Sequence, residues 1–123
     1  MASDAIWGPK SLPASADLSS YQFCFMKLNT SGQLALPAAN GYAIGVLQDK
    51  PTAQAQPGMV CRPGDITKIV CGEGITAGEW VATNSSGRAI LCVTGDWILG
   101  QALDACASGS ITRMVYQPLG KMA

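Results

Sequence analysis

Asn29-Thr-Ser-Gly-Gln-Leu-Ala-Leu36, followed by Gly41-Tyr-Ala-Ile-Gly45-Val-Leu-Gln-Asp49, occurs twice in this chain. The second copy begins 55 residues later and needs no gap: Asn84-Ser-Ser-Gly-Arg-Ala-Ile-Leu91, then Asp96-Trp-Ile-Leu-Gly100-Gln-Ala-Leu-Asp104. Asn, Ser, Gly, Leu, Gly and Asp match by identity, and Tyr42 falls on Trp97. The stretch ahead of each copy also ends on an apolar pair, Phe25-Met26 and Trp80-Val81. Turn, strand and aromatic positions agree together, which indicates an internal duplication. In each copy Asn-x-Ser-Gly supplies a residue tolerant of positive φ and then one that prefers it, so the segment reads as a hairpin turn. Gly45 and Gly100, inside strand-like runs, predict a bulge or a close backbone crossing. Two copies are too few for a solenoid and suit two pseudo-symmetric halves of one barrel or sandwich.

Outward from the repeat, short apolar or alternating stretches continue the strand pattern. They cover 21–28, 33–37, 42–48, 59–62, 66–71, 80–83, 89–93, 97–103 and 111–116, with turns at Asn40-Gly41, Pro63-Gly64-Asp65 and 72–78. Strands at about ten-residue spacing with Gly-rich turns predict an all-β fold, a small barrel or sandwich. Helix signals are sparse, and only 102–107 could make a helical turn. Residues 1–20 mix Ser, Ala, Pro and Asp without periodicity and read as an N-terminal arm. The β domain then runs over 21–119, with 120–123 as a tail. Ile6 and Trp7 in the arm are suited to anchor it in a partner's groove. Pro9 and Pro13 of the arm, with Pro51 and Pro57 of a Pro-rich loop, complete the candidate partner-binding set.

At 123 residues the chain fits one domain. Charged residues make up only 13%, about half the usual share, which leaves much uncharged surface to lie against another protein. Eight basic and eight acidic residues cancel, and the basic ones are spread singly. Nothing concentrates cations for nucleic acid or for a membrane surface. No run approaches the roughly 20 apolar residues of a membrane span, and the N-terminus does not read as a signal peptide. Five cysteines at wide, irregular spacing then read as free thiols of a chain made in a reducing cytoplasm.

Candidate chemistry is thin. The chain has no histidine, which removes the commonest general base and metal ligand. No two cysteines have Cys-x-x-Cys spacing, so a metal site is not expected. Asp49 and Asp104 hold equivalent places in the two copies, but they continue as Asp-Lys-Pro and Asp-Ala-Cys. They read as strand-end turn residues and not as a paired-carboxylate site. Gly72-Glu-Gly74-Ile-Thr-Ala-Gly78 has the wrong spacing for a dinucleotide loop and precedes a strand. The reading is a structural or binding protein with no catalytic residues and no cofactor.

Several segments, in order and spacing, resemble the family of capsid decoration (cement) proteins of tailed bacteriophages. They are Ser20-Tyr-Gln-Phe-Cys-Phe-Met-Lys27-Leu-Asn, Ala43-Ile-Gly-Val-Leu-Gln48 and Asp65-Ile-Thr-Lys-Ile-Val70, then Gly74-Ile-Thr-Ala-Gly78-Glu-Trp-Val81, Ser86-Gly-Arg-Ala-Ile90 and Ile98-Leu-Gly100-Gln-Ala-Leu103. The resemblance runs from about Leu18 to Leu119. The cysteine content and the Pro-rich segment 51–63 depart from the usual pattern. The resemblance implies a virion protein, made in the host cytoplasm, on the outer surface of an icosahedral head. It implies a homotrimer that bridges neighbouring major capsid protein subunits and stiffens the shell. Two alternatives remain: another β-rich virion part, such as a head-fibre base or tail-associated protein, and a lipoyl- or biotinyl-type carrier domain. For the carrier, Lys27, Lys50 and Lys68 lack the expected flanking residues.

Overall fold

The computed structural model describes residues 10–123, and every regular element among them is a strand. In chain order these are β1 (Lys10–Pro13), β2 (Phe25–Leu28), β3 (Leu34–Ala35), β4 (Gly45–Val46) and β5 (Pro57–Val60). Then follow β6 (Ile66–Val70), β7 (Trp80–Thr83), β8 (Ala89–Leu91), β9 (Trp97–Ala102) and β10 (Ile111–Lys121). They form a five-stranded sheet in the order β6-β10-β9-β7-β8, a three-stranded sheet β3-β2-β4, and the pair β1-β5. The all-β expectation holds: among the described residues the strands form several small sheets, as in a small sandwich.

The duplication is written into the hydrogen-bonding register. In the first copy Phe25 pairs with Val46 and Met26 with Gly45; in the second Trp80 pairs with Gln101 and Val81 with Gly100. The hairpins agree as closely. Asn29 Oδ1 accepts the backbone N–H of Ser31 and of Gln33, both at 2.9 Å. Asn84 Oδ1 accepts those of Ser86 and Arg88 at 2.9 and 3.0 Å. These are the side-chain-closed turns that Asn favours.

The repeat is longer than the sequence match suggests. A bridge between Leu47 and Val60 ties β4 to β5. The first half therefore has the order β1-β5-β4-β2-β3, the same as β6-β10-β9-β7-β8. β1 on β5 corresponds to β6 on β10, with Lys10↔Val60 matching Thr67↔Met114 and Pro13↔Pro57 matching Val70↔Ile111. Beyond the strands, the parallel bridge Ala14↔Leu34 matches Cys71↔Ala89. Five strands, not one hairpin, are the duplicated unit.

Two apolar clusters fill the molecule. Ala14, Leu18, Cys24, Met26, Leu34, Leu47 and Val60 pack beneath the first half. The larger cluster is built on the corresponding face of the second half, including Ile69, Val81, Ala89, Leu99, Ala102, Met114 and Tyr116. Phe25, Ala43, Val46 and Cys61 of the first half complete it. The first half thus contributes its opposite face to the second half's core, and burial of that face joins the halves.

Several expectations need correction. Residues 10–20 do not separate from the domain: Lys10–Pro13 pairs with β5, and Ala14 and Leu18 are buried. The segment 102–107 makes no helical turn, because Ala102 ends β9 and Cys106 bridges Ile75. The cysteines are not all free. Cys71 and Cys106 form a disulfide with Cα atoms 6.6 Å apart, while Cys24, Cys61 and Cys92 stay unpaired. Reciprocal backbone bonds between Ile75 and Cys106, at 2.9 and 2.8 Å, bring those loops together. The spacing of the cysteines in sequence carries no trace of that approach.

Candidate interaction surface

Of the residues singled out in the sequence, the three that the structure describes lie close together. Ile6, Trp7 and Pro9 lie outside the described residues. Pro13 and Pro57 are brought together as opposite members of β1 and β5, the first half-buried and the second exposed. Pro51 is buried: its carbonyl accepts the N–H of Leu18 at 2.9 Å. Its ring lies 3.2 Å from where a Cβ on Gly58 would stand. The loop between Pro51 and Pro57 is folded on itself, since Gln56 Oε1 accepts from the backbone of Thr52 and Ala53. The loop from Pro51 to Pro57 is therefore buried at its first proline and exposed at its last.

The two aspartates stay with their own halves. Asp49 Oδ1 accepts the N–H of Met59 at 3.0 Å. Asp104 pairs with the Arg113 guanidinium at 2.8 Å, and that hydrogen bond lowers its pKa. Each carboxylate holds the strand that follows it. Among the described residues, no group of three or more His, Cys, Asp or Glu is placed to hold a metal ion. Burial pushes the Cys24 and Cys61 thiols up to about 11, so neither is a ready nucleophile near neutral pH.

What the fold does present is apolar. Leu12, Leu28, Ile44, Val60, Cys61, Arg62 and Pro63 line a groove of about 360 Å³ on the first half. Leu28 is 45% exposed there, and Arg62 is the one charged residue among the described residues of the lining, bonded through Nε to Asp65 at 3.2 Å. Alternation places Leu28 on the Met26 face of β2, which the sequence could have shown; the approach of Leu12 and Ile44 to it could not be read there.

The second half carries apolar surface on the opposite face of its sheet. Trp80, Ile98 and Val115 are half-buried, and Ile66 and Ile111 are 64% and 54% exposed at its edge. Lys68 and Arg113 stand directly opposite each other on β6 and β10. Their repulsion is relieved by Asp104 at Arg113 and by the Phe23 ring, 5.6 Å from Lys68 Nζ. The groove and the largely apolar sheet face are surfaces suited to contact, and Lys68, Asp104 and Arg113 line a pocket beside Ile111.

No family model and no curated protein matches the chain. In fold it is similar to the crystal structure of the head fibre gp8.5 N base of bacteriophage phi29, with a TM-score of 0.69. The match covers 94% of this chain and 97% of that one at 15% sequence identity, which makes it a likeness of fold.

Proposed function

We propose that the chain is a structural protein of a phage virion, held on the outer surface of the head. There, as a homotrimer contacting the major capsid protein, it bridges neighbouring capsid subunits and stabilises the shell. The observation that best supports this is the fold shared with the phi29 head fibre base along nearly the whole of both chains. The resemblance of its strand and turn segments to decoration proteins supports the same location. The low charge content and the exposed apolar groove suit a protein that works by contact. A ligand that binds only the mature lattice stabilises it by mass action, and three linked arms raise each other's effective concentration. No catalytic role is proposed.

The name of the structural neighbour favours a second reading, in which the chain is the base of a head fibre. Cryo-EM of heads with and without the protein, with heat release of their contents, separates the two. Decoration predicts density across capsid subunit boundaries and heads that withstand higher temperature. A fibre base predicts density at the foot of a projecting fibre, with heat resistance unchanged. Absence from the head surface refutes both. Ile6 and Trp7 are proposed as anchors to the capsid, with Pro9, Pro13, Pro51 and Pro57 as further partner-binding residues. Deleting residues 2–9, which leaves β1 whole, should abolish decoration without unfolding the domain.

A further inference from the structure

We propose that the groove of the first half seats the outer sheet face of the second half of another copy, so that copies join head to tail. The argument starts from the contact between the halves inside one chain. There the inner face of the second half is covered by Phe25, Ala43, Val46 and Cys61 of the first. The Phe25 and Tyr116 rings meet at 6.5 Å, and the Tyr116 hydroxyl donates to the Ala43 carbonyl at 2.8 Å.

Because the halves are one unit repeated, each side of that contact has a counterpart elsewhere. Shifted by the repeat, the covered inner residues Ile69, Leu99 and Met114 become Leu12, Ile44 and Val60, the walls of the open groove. The covering residues Phe25, Ala43, Val46 and Cys61 become Trp80, Ile98, Gln101 and Val115, all half-buried on the second half. Among the described residues, one chain therefore carries one satisfied copy of this contact and both sides of an unsatisfied one. The two sides lie on different halves and opposite faces, so the partner that supplies the missing side is a second copy.

The chemistry at the centre of the contact survives the exchange. Tyr116 corresponds to Arg62 at the groove, and Phe25 to Trp80 on the facing sheet. An arginine stacks on the face of an indole, and its fork of N–H donors suits the Ile98 carbonyl that replaces Ala43's. Arg62 gives Nε to Asp65 and keeps its terminal nitrogens for that role. Such a contact is heterologous: it closes into a ring or runs on as a filament. The proposal takes from the preceding section that three copies associate, which selects the closed ring.

Sedimentation velocity and light scattering on the full chain test it. The wild type should run as three copies. Leu28→Arg in the groove and Trp80→Arg on the sheet face should each run as a single copy with an unchanged circular dichroism spectrum. Mixed together they should form a pair, because one keeps the groove and the other keeps the face. Arg62→Ala, a milder change, should weaken assembly about tenfold. A single-copy wild type overturns both this contact and the trimer. A Leu28→Arg protein that keeps the wild-type mass overturns the contact alone; a groove filled by the chain's own residues 1–9 gives that result. A mixture that forms no pair overturns the head-to-tail arrangement.

Discussion

Ala55 sits at φ 69°, a conformation that alanine avoids, and its N–H reaches the Ala14 carbonyl at 2.8 Å. Its counterpart in the second half is Gly109, at φ 83°, bonded to the Cys71 carbonyl at 2.8 Å. The same holds for Phe23 beside Gly78 and for Asn40 beside Gly95. The turn geometry is thus kept by the fold even where the residue does not suit it. Ala55→Gly should raise stability by about 0.5–1 kcal/mol, and Gly109→Ala should lower it by a similar amount, read as shifts in the urea midpoint. No effect of either substitution would mean the loop relaxes freely. The pair was not legible in the sequence: the loops after Asp49 and Asp104 differ in length, which moves Ala55 off the gapless register that reveals the repeat. The turn asparagines were legible, because their function depends only on residues within five positions.

Among the elements, the two hairpins look alike in sequence but differ in surroundings. Gly32 and Gly87 share positive φ, at 75° and 78°. A Cβ at Gly32 would meet nothing within 4 Å, whereas one at Gly87 would lie 2.6 Å from the Phe25 carbonyl oxygen. Gly32→Ala should cost about 1 kcal/mol, the intrinsic penalty of that conformation. Gly87→Ala should cost about 2 kcal/mol more, since backbone of the first half must move. Thermal melts of the two variants compare them directly; equal costs would show that the β7–β8 hairpin does not bear on the first half. Strand existence was legible through alternation, and β7 runs over 80–83 as expected. Strand extent was not: β4 keeps only Gly45–Val46 of the strand-like stretch 42–48, and at Gly45 a Cβ would lie 2.8 Å from the Cys61 carbonyl oxygen. β1 was missed because Lys-Ser-Leu-Pro has no pattern of its own, and only pairing with β5 makes it a strand.

For the molecule as a whole, the fold class followed from turn spacing and the duplication from identity at equal intervals. The packing of one half's face on the other's opposite face did not. Phe25 and Met26 are adjacent and equally apolar, yet they enter different clusters, and no sequence pattern ranks two apolar faces of one strand. The candidate surface shares that fate, since the groove is the face left over when the halves have packed. The Cys71–Cys106 disulfide falls within the second half, where the first has Ala14 and Pro51. Reducing it should lower stability by about 3–4 kcal/mol on loop-closure grounds, seen as an earlier melt with dithiothreitol. Cys71→Ala should match the reduced protein, and an unchanged melt would exclude the linkage. The same bond has a mechanical consequence. A chain drawn out by its two ends cannot extend the residues between the sulfurs, which are 35 positions apart. Some 120 Å of contour, about 3.4 Å for each of those positions, stays locked until a reductant frees it. The oxidised protein is therefore a shorter tether than its length in residues implies.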